Sequence, residues 1–141
     1  EIRDPSQWVP ESSRRARGFP LYAAIRSLGR EGLSEMVRRH CRQARLMADL
    51  LNEDPRIGIE IDVVLNQVLV RFSPEGGKGD VDAYNRKITS LVQKEGTCWA
   101  GGSAWKGRAA MRISVSGWPT SDEDIRVSAA AIRRVLADTP E

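Results

Sequence analysis

Histidine and cysteine are nearly missing from this sequence: His40 is the only histidine, and Cys41 and Cys98 are the only cysteines. A zinc site takes about four such ligands, and no Cys-x-x-Cys or Cys/His spacing is present, so no metal centre is expected. Reduced, partly buried thiols are the default for two isolated cysteines, with a disulfide as the alternative; the default fits a cytoplasmic protein. No apolar run approaches the roughly 20 residues of a membrane-spanning helix, so no membrane partner is expected. No basic-then-apolar leader opens the chain. It begins at Glu1 rather than at methionine, and so reads as a processed or trimmed chain or a fragment. The four tryptophans are scattered and form no stacking platform for nucleic acid.

Catalytic constellations are lacking too. A Ser-His-Asp triad would have to recruit His40, which falls in the middle of a helical pattern and reads as a satisfied helix histidine. Glu60 with Asp62 reads as the wet face of a strand, and Asp122 with Asp124 as the acidic first turn of a helix. The stretch "EGGKGD" (75–80) has the glycines of a phosphate loop without its spacing. It reads as a connection between a strand and a helix.

What is present is an ordinary globular composition, long enough for a domain with its own core. Charge is uneven: residues 12–45 hold nine arginines against Glu31 and Glu35. Such a bias invites a nucleic-acid reading. The run "RRHCRQAR" (38–45), however, has no interleaved aromatics, and its arginines alternate with core positions. A charged helix face or interdomain surface is the better reading, and no nucleic-acid partner is expected.

Residues 1–18 show no periodicity, and Pro5 and Pro10 make them an extended arm. "FPLYAAIRSL" (19–28) reads as a short helix punctuated by Gly29 and Gly32. Leu33, Met36, Val37, Cys41, Ala44, Met47, Ala48 and Leu51 then recur at helical spacing over about five turns. "RIGIEIDVV" (56–64) alternates as a half-buried strand, with a turn at Asn66–Gln67 and a second strand in "VLVRFSP". Asp80 is placed to cap a helix whose stripe is Val81, Tyr84, Ile88, Leu91 and Val92, with Gly96 ending it. Two more strands follow. In the second, Met111, Ile113 and Val115 form one face, and Arg112 stands on the other between Ala110 and Ser114. Thr120 and Glu123 have capping-box spacing ahead of a helix with Ile125, Ala129, Ile132 and Leu136 inward. The predicted fold class is α+β: an N-terminal arm and helices, then a two-layer ββαββα domain. Its antiparallel sheet is covered by helices on one face.

Three stretches carry a resemblance: "SSRRARGFP" (12–20), "LGREG" (28–32) and "MRISVSGWPTSDEDI" (111–125). In this order over nearly the whole chain, they resemble the C-terminal third of group II pyridoxal-phosphate-dependent amino-acid decarboxylases. The resemblance implies the aspartate-aminotransferase type of fold, with a large cofactor domain and a small closing domain. Residues 1–30 would belong to the end of the large domain and residues 31–141 to the small one. It also implies pyridoxal 5'-phosphate in the full-length enzyme, an amino-acid substrate and a homodimer. The cofactor-holding lysine of the family follows a histidine. Lys78, Lys87, Lys94 and Lys106 do not, so no covalent cofactor and no activity are expected of this chain by itself.

By the same resemblance Arg112 holds the substrate carboxylate, with Arg108 a weaker candidate. Ser13 reaches the cofactor phosphate of the neighbouring subunit, and Arg14 and Arg15 either add charge there or pair with acids of the large domain. Two alternatives stand beside this reading, with a DNA-binding protein as a third and weaker choice. One is a related lyase or aldehyde-forming enzyme. The other is an independent ferredoxin-like module that binds a small molecule or regulates.

Overall fold

The computed structural model describes residues 4, 8, 15–74, 76 and 79–139. The extended arm predicted over 1–18 falls mostly outside them. The chain divides into two compact units, Glu1–Glu35 and Met36–Glu141.

The first unit holds the start of α1 (Gly18–Asn52). The two predicted helices form one helical run, interrupted at Gly29, whose φ of 64° and ψ of −173° are non-helical. Only glycine takes such a φ without strain, and the punctuation predicted at Gly29 falls where the two helices meet at a kink. Phe19, Leu21 and Tyr22 are exposed in this unit.

The second unit is built on four antiparallel strands: β1 (Ile57–Ile59), β2 (Gln67–Phe72), β3 (Gly101–Trp105) and β4 (Arg108–Ser114). Their order is β1-β2-β4-β3, so the second hairpin inserts its later strand beside the first hairpin. α2 (Val81–Glu95) and α3 (Asp122–Ala137) complete the ββαββα order. One sheet face presents Ile57, Val68, Val70, Phe72, Met111 and Ile113 to a single buried cluster. Ala44, Met47 and Leu51 of α1, Ile88 and Val92 of α2, and Ile125, Ile132 and Leu136 of α3 join that cluster. The α+β class, with helices on one face, is as the sequence predicts.

Three local expectations are corrected. The first strand ends at Ile59, not near Val63. Glu60 still donates its N–H to Leu69, but Asn66 turns to β4 instead of closing a two-residue turn. The capping box sits one residue later than predicted: Ser121 is the N-cap and Asp124 its partner. Thr120 is held back because its N–H donates to Gly117 and its carbonyl accepts from Gln43. The buried stripe of α1 is rotated, leaving Val37 exposed and taking in His40 and Gln43. Those two are buried because they have polar work to do. By contrast Asp80 and Gly96 cap α2 as predicted, the latter in the left-handed conformation.

Candidate functional site

The face of the sheet opposite the helices carries the candidate site. Alternation along β4 puts Arg108, Ala110, Arg112 and Ser114 on this side, and Arg112 is exposed. Its cross-strand partners are Leu69 and Gly101. A Cβ built on Gly101 would meet no atom within 4 Å, so the space beside Arg112 toward β3 is open.

Three arginines share this side, and they differ in what they hold. Arg108 pairs with the Glu60 carboxylate. Arg71 donates to the Ala109 carbonyl at 2.6 Å and to Asp82 at 2.9 Å. Arg112 has no hydrogen-bond or ion-pair partner among the described residues. Arg108, the weaker candidate, is therefore committed to Glu60, while Arg112 presents a free guanidinium on a strand flanked on both sides. Five N–H donors in a planar fork suit a carboxylate or phosphate.

The ion pairs also set titration behaviour. The hydrogen bond from Arg71, with that of the Ala109 N–H, holds the Asp82 carboxyl below the usual carboxylate range. Asp124 is lowered in the same direction by the Ser121 N–H and hydroxyl. Burial pushes the Cys98 thiol up; both cysteines are free and half-buried.

Where β3 and β4 part, a cavity of about 130 Å³ lies between Met47, Cys98, Trp99, Ser114, Ser116 and Ser128. That is well under the roughly 300 Å³ at which cofactor-sized pockets begin. Lys87, Lys94 and Lys106 are all exposed, and this cavity has no lysine in its lining. Two wider clefts, of about 350 Å³ beside Asp49 and Asp62 and of about 460 Å³ beside Asp54 and Arg133, have no lysine in their lining either, so none of these three cavities fits the covalent site of pyridoxal phosphate. Ser13 and Arg14, the phosphate candidates, and Lys78 lie outside the described residues. Among the described residues no group of three or more His, Cys, Asp or Glu is placed to hold a metal ion. None of the described helices is long and apolar enough to cross a membrane.

Sequence reasoning missed what Asn85, Arg39, His40 and Gln43 do. Asn85 is buried, and it both accepts from the Phe72 N–H and donates to the Phe72 carbonyl, each at 2.8 Å. The other three bond the loop after β4. The available signal was a polar residue at a buried helical position, as with His40 and Gln43 beside Ala44 and Met47.

Fold and site together define an α+β domain with helices on one face of its sheet and, on the other, an arginine that has no partner among the described residues. The family described as the pyridoxal-dependent decarboxylase conserved domain matches residues 2–73. The chain belongs to that family. Tyrosine decarboxylase 1 of Narcissus pseudonarcissus is 26% identical over 97% of this chain and 28% of its own length. The 3,4-dihydroxyphenylacetaldehyde synthase of Drosophila melanogaster is 28% identical over 98% of the chain and 26% of its own length. The crystal structure of Oryza sativa TDC with PLP and tryptamine superposes with a TM-score of 0.80 at 22% identity. The match covers 98% of this chain and 30% of that one. The chain thus spans little more than a quarter of the relatives it matches.

Proposed function

We propose that this chain is the C-terminal portion of a pyridoxal-phosphate-dependent amino-acid decarboxylase and that Arg112 binds the substrate α-carboxylate. The observation that carries the reading is the uncommitted guanidinium of Arg112, opposite Gly101 on the open face of the sheet. In this reading residues 1–30 belong to the large cofactor domain and residues 31–141 form the small domain. Pyridoxal phosphate, held by the large domain, supplies the electron sink for the bond that breaks. Arg112 supplies two parallel hydrogen bonds that fix the carboxylate, and with it the Cα–carboxylate bond, relative to the cofactor. A central strand suits that task because its neighbours hold the fork's base in place.

The reading includes a homodimer in which Ser13, and with it Arg14, reaches the neighbouring subunit's cofactor phosphate. Exposed Phe19, Leu21 and Tyr22 support a buried partner surface. A cytoplasmic setting is supported by the two free thiols. An aldehyde-forming reaction of the same substrate class is the second reading, favoured by the similarity to an aldehyde synthase.

The test is Arg112→Ala in the natural, cofactor-loaded protein, assayed on tyrosine, tryptophan and glutamate with carbon dioxide, amine and aldehyde as readouts. Loss of about a hundredfold in kcat/KM on the best substrate is expected, the size of losing one electrostatic stabiliser. Cofactor content should be unchanged. Retention of normal kcat/KM would remove Arg112 from the site, and the product found decides between amine and aldehyde.

A further inference from the structure

β4 loses its neighbours in steps, and Arg112 stands at the first of them. Gly101 is the last β3 residue paired with β4, and its partner is Arg112. Gln67, at the end of β2, pairs with Ser114. Beyond Ser114 no strand among the described residues pairs with the chain, and Asn66 and side chains of α1 take over. The Val115 N–H donates to the Asn66 carbonyl, and the Val115 carbonyl accepts from Asn66 Nδ2, both at 2.9 Å. Three residues of α1 then bond the loop. His40 Nε2 donates to the Gly117 carbonyl at 3.1 Å. Since a carbonyl only accepts, Nε2 is the donor in this contact. Arg39 donates to the Trp118 carbonyl at 2.7 Å. Gln43 Nε2 donates to the Thr120 carbonyl at 2.8 Å and to Asp122 Oδ1 at 3.1 Å.

This arrangement is not what stability by itself would select. His40 and Gln43 occupy buried helical positions where aliphatic side chains would pack. Arg39 Nε and Gln43 Oε1 are buried without partners among the described residues. A local rule broken at three neighbouring positions, all directed at one loop, marks a functional constraint.

We propose that Arg39, His40 and Gln43 are positioning residues for Arg112: they moor the loop after β4 to α1 and so hold the half-supported end of the strand. The inference rests on the carboxylate reading of Arg112. A guanidinium fork binds a carboxylate productively only when held within about 0.5 Å of the required place. Freeing the loop leaves the end of β4 beyond Arg112 held only by β2 and Asn66, on one side of the strand that carries the fork.

The experiment uses the natural, cofactor-loaded protein carrying Arg39→Met, Arg39→Lys or Gln43→Met, each alone, and Arg39→Met combined with Arg112→Ala. Three quantities are measured: kcat/KM for the amino acid, the inhibition constant of the corresponding amine, and amide exchange over 113–121. The amine lacks the carboxylate, so a defect acting through Arg112 spares it. Arg39→Met and Gln43→Met should each lower kcat/KM about fivefold, the scale of one hydrogen bond. Amine binding should stay unchanged and exchange over 113–121 should quicken. Arg39→Lys should recover part of the loss. In the Arg112→Ala background, Arg39→Met should have no further effect, as coupled residues require.

Equal weakening of acid and amine, or full additivity with Arg112→Ala, would make the three residues merely structural. Arg112→Ala alone separates the two levels. If it discriminates acid from amine and the α1 variants do not, the positioning inference fails and the carboxylate reading stands. If it does not discriminate, both fall. Should Gln43→Met fail to fold, the partly exposed Arg39 decides.

Discussion

Asn85 stands in for a stretch of strand. Beyond the Val70–Met111 pair, β2 and β4 separate, and the polar backbone on each side needs new partners. The amide of Asn85 serves Phe72 on both its N–H and its carbonyl. Arg71 and Asp82 serve Ala109 in the same way, the one taking its carbonyl and the other its N–H. Asn85→Leu would keep the volume and orphan two buried backbone groups. It should destabilise by about 2–4 kcal/mol, measured as a lower urea midpoint; a loss well under that range would mean water replaces the amide. Asp82 gives a pH prediction. Its folded pKa is lowered, first by the Arg71 hydrogen bond. Its stabilisation is therefore present above the ordinary aspartate pKa of about 3.9 and lost as pH falls through the folded value. Asp82→Asn should lower stability at neutral pH and flatten the acid limb. Urea midpoints at neutral and at acid pH check the sign: an unchanged difference between them would remove Asp82 from the acid response.

The helices show which signals survive from sequence to fold. α2 carries its cap at Asp80, its stripe at Tyr84, Ile88 and Val92, and its left-handed stop at Gly96. Gly96→Ala should cost about 1–2 kcal/mol, because the same φ is strained for any residue with a Cβ. Thermal unfolding measures it, and Lys94→Ala on the exposed face serves as control. The stripe of α3 and the alternation of β4 were equally legible, because both depend on local periodicity. The boundary errors share a cause that lies elsewhere in the chain. The turn expected at Asn66 is lost because Asn66 is drawn to Val115, and α3 starts late because Gln43 holds Thr120. Local pattern carries no record of such bonds. Arg112 was legible only because a family resemblance pointed to it. Its freedom from partners is a fact of the fold, since Arg108, on the same face of the same strand, is taken by Glu60.

At the scale of the whole molecule, the unit of residues 1–35 exposes Phe19, Leu21, Tyr22 and Ile25 on successive turns. An apolar patch of that kind finds a partner in solution. The isolated chain should sediment as a dimer or larger species, and Tyr22→Glu with Phe19→Glu should shift it toward monomer; a clean monomer of the parent chain at high concentration would count against the patch. The strand order has a consequence for how this protein is made. β1 and β2 can meet as soon as both have left the ribosome. β2's other neighbour, β4, arrives only after α2 and β3 have been synthesised, and the bonds from Arg39 and His40 close over 79 and 77 residues. Contacts of such long range are slow to form. For the time it takes to translate the intervening residues, the nascent chain therefore carries an unpaired β2 edge with Val68, Val70 and Phe72 uncovered, and this interval is when the polypeptide most needs a chaperone's protection.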